Sequence, residues 1–160
     1  MGSGKSRWGR QLAPRLGMGF ADLDDLIVEA EGRSIPDIFA QEGEPYFRQV
    51  ETRMLEEAAS GESRLIALGG GTPCQGENMK VIGQGGLGVY LEVPSYVLFG
   101  RLRLAKAKRP LIAQKSDREL RDFIDELLEA RRGYYEQAEM TLQPHRMTIA
   151  QMEKAIRSAW

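Results

Sequence analysis

Apolar residues along the chain recur at two spacings. Residues 5–16 (KSRWGRQLAPRL) place Trp8, Leu12 and Leu16 four apart, which predicts an amphipathic helix, and Gly17 is suited to end it. Residues 19–22 predict a short strand with a polar tip, and 23–31 return to helical spacing. Ser34 can cap a helix over 34–40, with Pro36 tolerated in its first turn. Gly43-Glu44-Pro45 breaks that pattern, and 46–59 predicts a second, charge-laced helix. Leu65-Ile66-Ala67-Leu68 is a continuous apolar run, as suits a buried parallel strand, and Gly69-Gly70-Gly71 stops it. Beyond it come a short helix at 79–84, a strand at 89–93, a helix at 95–104 and a basic, proline-interrupted loop at 105–116. A long helix at 117–135, a weak strand at 140–142 and an amphipathic helix at 148–160 complete the pattern. Strands alternating with helices imply an α/β chain with a parallel sheet and helices on both faces.

At 160 residues the chain suits one domain that buries a core without staples. No repeat or linker divides it, so residues 1–160 are expected to form a single unit. The formal net charge of −1 argues against a broad nucleic-acid-binding face. No apolar run approaches the ~20 residues of a membrane span, and no signal-peptide pattern opens the chain. Cys74 is the one cysteine, so no internal disulfide forms; this fits a reducing cytosol, and Cys74 reads as a small filler residue.

The candidate chemistry begins at the first residues, Gly2-Ser3-Gly4-Lys5-Ser6. Gly-Lys-Ser opening a helix is the end of a P-loop. Glycines let backbone N–H groups curl around phosphate oxygens, and the positive end of the helix faces the same anion. Lys5 would reach the β- and γ-phosphates, and the Ser6 hydroxyl would ligate Mg²⁺. The full motif starts with another glycine before Met1, preceded by a buried strand. That strand is not in the sequence, and a start at an internal methionine, or a fragment, is the expected explanation.

Five further signals follow. Asp22 and Asp24 stand at i and i+2 near a strand end. Gly43-Glu44-x-x-Phe47-Arg48-x-x-Glu51 sets Arg48 and Glu51 one helical turn apart. Gly69-Gly70-Gly71 gives a bare turn at the C-terminal end of a strand, where open α/β sheets bind ligands. Lys108-Arg109-Pro110-Leu111 lies in the basic loop, and Arg131-x-x-x-Tyr135 on the long helix after it.

In this order and spacing the set resembles the shikimate kinase family, from Met1 to about Ala138. The resemblance implies a P-loop NTPase-type three-layer sandwich, similar to nucleoside monophosphate kinases, with its first strand missing. It also implies a substrate-binding region at about 22–60 and a lid at about 105–117. The implied activity is transfer of the γ-phosphate of ATP to shikimate, giving shikimate 3-phosphate in aromatic amino-acid biosynthesis. By the same resemblance, Gly2, Ser3, Gly4, Lys5 and Ser6 would hold ATP, while Ser6 and Asp22 would support Mg²⁺. Asp24 would hold the substrate hydroxyls and serve as general base. Arg48 and Arg131 would clamp the substrate carboxylate, with Glu51 orienting the substrate arginine and the substrate. Gly69, Gly70 and Gly71 would lie against the substrate ring, and Arg109 would close over the transferring phosphate. Arg101 and Arg103 match an adenine-stacking arginine only loosely. Arg7 and Gly133 depart from the commoner threonine and proline without removing a catalytic group. A cytoplasmic monomer is expected. Another small-metabolite kinase of gluconate type, a nucleotide-binding regulatory module and an inactive truncated product are the competing readings.

Overall fold

A computed structural model of the chain describes residues 2–106 and 112–160. Arg109, with the whole Lys108–Leu111 motif, lies outside the described residues. The elements run α1 (Lys5–Leu16), β1 (Gly19–Asp22), α2 (Leu23–Glu31), α3 (Ile35–Ser60), β2 (Arg64–Ala67), α4 (Asn78–Gly85), β3 (Val89–Leu91), α5 (Ser95–Leu104), α6 (Asp117–Tyr135), β4 (Met140–Leu142) and α7 (Ile149–Ala159).

The helix ends follow from short polar side chains. Asp22, Ser34, Ser116 and Thr148 each accept a bond from the backbone of the first turn they precede. Ser116 with Glu119, and Thr148 with Gln151, complete reciprocal capping boxes that satisfy two end donors each. Two helices were expected over 34–40 and 46–59, and the Ile35–Ser60 span is indeed two helical halves that meet at a kink, where Gly43 leaves helical geometry (φ 81, ψ 176). Glycine tolerates that left-handed φ, and Pro45 sits in the first turn of the second half, where its missing N–H costs nothing. A single 3₁₀ turn at Thr72–Cys74 follows the triple glycine.

All strand pairing is parallel. β1 lies beside β2, from Gly19 opposite Arg64 to Asp22 opposite Ala67. β3 lies beside β4, from Val89 opposite Met140 to Leu91 opposite Leu142. Both middle strands are shorter than the apolar runs suggest. Leu68 goes unpaired because its neighbour β1 has already ended, and β3 stops where β4 stops. Among the described residues the sheet is two separate halves, β1-β2 and β3-β4, with no strand joining them.

The core divides in the same way. Leu23, Ile27, Ile38, Phe47, Val50, Met54 and Leu55 pack α2 against α3. Val93, Leu98, Leu102, Ile112, Leu120 and Ile124 pack α5 against α6. Leu12, Leu142, Met152 and Ile156 join α1, β4 and α7. Ile112 is fully buried in the second cluster.

Candidate active site

The N-terminus of α1 is open in the way an anion site requires. Gly4 precedes the helix in the left-handed region (φ 89), and no side chain caps the first turn. Its leading N–H groups are therefore available to an anion. Arg101 donates to the carbonyls of Gly2 (3.0 Å) and Ser3 (3.2 Å) and ties this loop to α5. Arg103 instead pairs with Asp117. Of the two arginines considered for the adenine, Arg101 is the one that reaches the phosphate loop.

Asp22 ends β1 and begins α2, and its two oxygens face different ways. Oδ1 accepts from the Asp24 backbone N–H (3.2 Å), and Oδ2 accepts from the Ser6 hydroxyl (2.5 Å). A hydroxyl and a carboxylate in contact at the helix N-terminus are hard oxygen donors, the chemistry a magnesium ion takes from protein when phosphates supply further oxygens. Among the described residues no group of three or more His, Cys, Asp or Glu side chains could hold a metal. Ser6 and Asp22 therefore fit a phosphate-bridged ion and not a closed protein cage.

Asp24 is the second residue of α2, with a face open to solvent, yet its carboxyl is deep enough for desolvation to act. That desolvation is the main cause raising its pKa above the ordinary value. The charges of Asp22 and Glu51 push the same way, and Lys5 opposes them.

The glycine turn after β2 is where these elements meet. A Cβ on Gly69 would stand 3.2 Å from Glu51 Oε1 and 3.8 Å from Asp24 Oδ1, and one on Gly71 would stand 3.0 Å from the Arg48 guanidinium. Side chains there would crowd the very groups the turn brings together. Gly70 contributes its carbonyl, which accepts from the Tyr135 hydroxyl at 2.7 Å. Tyr135 stacks on Tyr90 of β3 at 5.0 Å between ring centroids, so α6 and β3 both brace the turn.

Arg48 lies between two carboxylates. It donates to Glu51 (2.7 Å) and, through two nitrogens, to Glu44 (3.1 and 2.9 Å). Burial works against its charge, but bonds from Glu51 and Glu44 outweigh this and raise its pKa. Glu51 is 2 % exposed and also accepts from the Thr72 hydroxyl at 2.6 Å. Asn78 in turn donates to the Thr72 carbonyl at 2.8 Å. Glu51 is thus a buried charge whose oxygens are both occupied, the condition under which such a group is tolerated.

Of the neighbouring pair on α6, Arg132 is exposed and bound to Glu129. Arg131 is half-buried, and it lowers the Tyr135 pKa against the burial that raises it. Arg131 and Arg48 both act on the Cys74 thiol, whose pKa burial raises while the two cations lower it. Both guanidinium groups are thus near enough to Cys74 for their charges to act on it. Ser3, Lys5, Gly69 and Gly70 line a common cavity. Thr72, Asn78 and the Tyr135 hydroxyl complete the site without having been singled out by sequence; only the Arg131-x-x-x-Tyr135 spacing hinted at the last.

The family model "Shikimate kinase" matches residues 1–159. A shikimate kinase of Phocaeicola vulgatus is 44% identical over 138 residues, covering 86% of this chain and 79% of the relative. One of Parabacteroides distasonis is 42% identical over 147 residues, covering 92% and 85%. The crystal structure of the Bacteroides thetaiotaomicron shikimate kinase superposes with a TM-score of 0.90 at 37% identity, covering 99% of this chain and 93% of that one. The Acinetobacter baumannii enzyme, solved in complex with shikimate, superposes at 0.85 with 34% identity, covering 99% and 87%.

Proposed function

Because the chain belongs to the shikimate kinase family, we propose that the residues gathered around the glycine turn carry out its reaction. The activity is ATP-dependent phosphorylation of shikimate. The observation that carries the assignment of roles is the meeting of Asp24, Arg48 and Glu51 at Gly69 and Gly71, with Lys5 and Arg131 near enough for their charges to act on Asp24 and Cys74, respectively.

Two guanidinium groups together suit a carboxylate, and fixing the carboxylate fixes which ring hydroxyl faces the phosphate. Gly69 to Gly71 present backbone alone to the ring. Asp24 holds the attacking hydroxyl and receives its proton as the oxygen bonds to the γ-phosphorus and the bond to the ADP oxygen breaks. A carboxylate whose pKa is raised takes up that proton more readily. The open amides of α1 and the Lys5 ammonium bind the phosphates, and little more than positioning and charge neutralisation is required of the protein. Mg²⁺ is the ion assigned to Ser6 and Asp22; when bound, it offsets charge on the β- and γ-phosphates. Arg109 is assigned to the lid that closes over the phosphate and excludes water. The chain is taken as a cytoplasmic monomer, in keeping with its lone cysteine; no described helix is long and apolar enough to cross a membrane.

The test is a coupled ADP-release assay with ATP, a choice of divalent ions and a panel of hydroxylated acids. Turnover with shikimate and Mg²⁺ is expected. Preference for gluconate, or ADP release indifferent to the acceptor, would overturn the carboxylate-on-a-ring reading.

A further inference from the structure

Glu51 is a buried carboxylate held from two directions. Its Oε2 accepts from Arg48 Nη1 at 2.7 Å, one turn away on the same helix. Its Oε1 accepts from the Thr72 hydroxyl at 2.6 Å, 21 residues further along the chain. The terminal torsion of a glutamate is broad, so a bond at one oxygen alone leaves the plane of the carboxylate free to turn. A second donor from a different element fixes that plane, and with it the line along which Oε2 meets the guanidinium.

Thr72 is itself placed with little freedom. It is fully buried and opens the 3₁₀ turn after the triple glycine. Its N–H donates to the Gly69 carbonyl at 3.2 Å, and its carbonyl accepts from Asn78 Nδ2 at 2.8 Å. A Cβ on Gly69 would stand 3.0 Å from the Thr72 hydroxyl oxygen and 3.2 Å from Glu51 Oε1, so this bond lies directly against the glycine turn. The hydroxyl thus ties the turn to α3 beside Arg48.

We infer that Thr72 is a positioning residue for the acceptor: acting through Glu51, its hydroxyl sets where the Arg48 guanidinium stands against Gly71. The inference rests on the reading of Arg48 as a holder of the substrate carboxylate. The need for Thr72 arises when the substrate arrives. Glu44, the other carboxylate on Arg48, is 62% exposed and gives way to the incoming carboxylate. Glu51 then holds Arg48 against the turn, and Thr72 holds Glu51.

The experiment compares Thr72→Val, which keeps the shape and removes the donor, with Thr72→Ser, which keeps the donor and removes a buried methyl. Each is expected to lower Tm by about 2–6 °C, the first through a lost hydrogen bond and the second through a lost apolar contact. Steady-state kinetics well below Tm then separates stability from positioning. Thr72→Val is expected to raise the shikimate KM roughly tenfold, the lower end for a hydrogen bond to a charged group. Its kcat and ATP KM are expected to stay within about twofold of the wild type. Thr72→Ser is expected to keep the shikimate KM despite its lower Tm. In an Arg48→Ala background, Thr72→Val is expected to add nothing, because the hydroxyl acts through Arg48. An unchanged shikimate KM in Thr72→Val, or an equal rise in both variants, would give Thr72 a purely structural role and overturn the inference. So would equal rises in the shikimate and ATP constants, or additivity with Arg48→Ala. If Thr72→Val does not fold, Thr72→Ala takes its place against Thr72→Ser. An unchanged shikimate KM in Arg48→Ala would remove the carboxylate clamp and this inference together. A raised KM there, with none in Thr72→Val, would remove this inference alone.

Discussion

Substituting the two glutamates that hold Arg48 should change shikimate binding in opposite directions. Glu44 is 62% exposed and Glu51 2% exposed, yet both lie within 3 Å of the same guanidinium. An incoming carboxylate must take the edge of Arg48 that Glu44 occupies. An exposed pair at i,i+4 is worth about 0.3–0.5 kcal/mol, so Glu44→Gln should lower the shikimate KM by about twofold and leave Tm nearly unchanged. Glu51 is different in kind. Removing one charge from a buried pair costs about 3–5 kcal/mol, and Arg48 keeps Glu44, so the lower end applies to Glu51→Gln. That is a fall in Tm of about 6–12 °C for a domain of this size. The guanidinium, no longer held against the glycine turn, should bind shikimate at least about tenfold more weakly, a loss of roughly 1.4 kcal/mol. Steady-state kinetics at saturating ATP, with urea unfolding of each variant, reads both quantities. If Glu44→Gln raised KM, Glu44 would be steadying Arg48 and not competing with the substrate, and the reasoning would fail.

Lys5→Met should abolish phosphoryl transfer and leave the unfolding curve in place; unchanged turnover would remove the lysine from the phosphate site. Asp24→Asn should lower kcat by about 10²–10⁴ and make the protein more stable at pH 7. The Asp24 pKa is raised in the folded state, so its carboxyl favours folding below the ordinary carboxylate value. That contribution is lost as pH rises through the folded pKa. The Asn variant should therefore gain on the wild type as pH climbs from 4 to 7, and parallel stability curves would contradict the shift. Tyr135→Phe removes the donor to the Gly70 carbonyl; it should cost about 1 kcal/mol of stability and raise the shikimate KM more than the ATP KM. Equal changes in the two constants would show that the hydroxyl does not position the turn.

How legible these features are in sequence depends on whether their cause is local. The ends of α6 and α7 follow from Ser116-x-x-Glu119 and Thr148-x-x-Gln151, because a capping box is complete within four residues. The P-loop end and the glycine turn are equally plain, since a bare backbone cannot be supplied by other residues. The extent of β2 is less so: an apolar run shows burial, but the strand ends where its neighbour ends, and that neighbour is some forty residues away in the chain. Thr72 and Asn78 carry no local mark, being an ordinary threonine and asparagine until Glu51 and the Thr72 carbonyl close on them. The choice between Arg131 and Arg132 likewise needs the direction of the α6 face.

Asp22 spends one oxygen on starting α2 and the other on Ser6 of α1. Any replacement there alters a helix origin and the nucleotide side together, so a dead variant at this position says little about metal chemistry by itself. An inactive reference protein for ligand soaks or calorimetry is better made at Lys5, whose substitution leaves the start of α2 untouched.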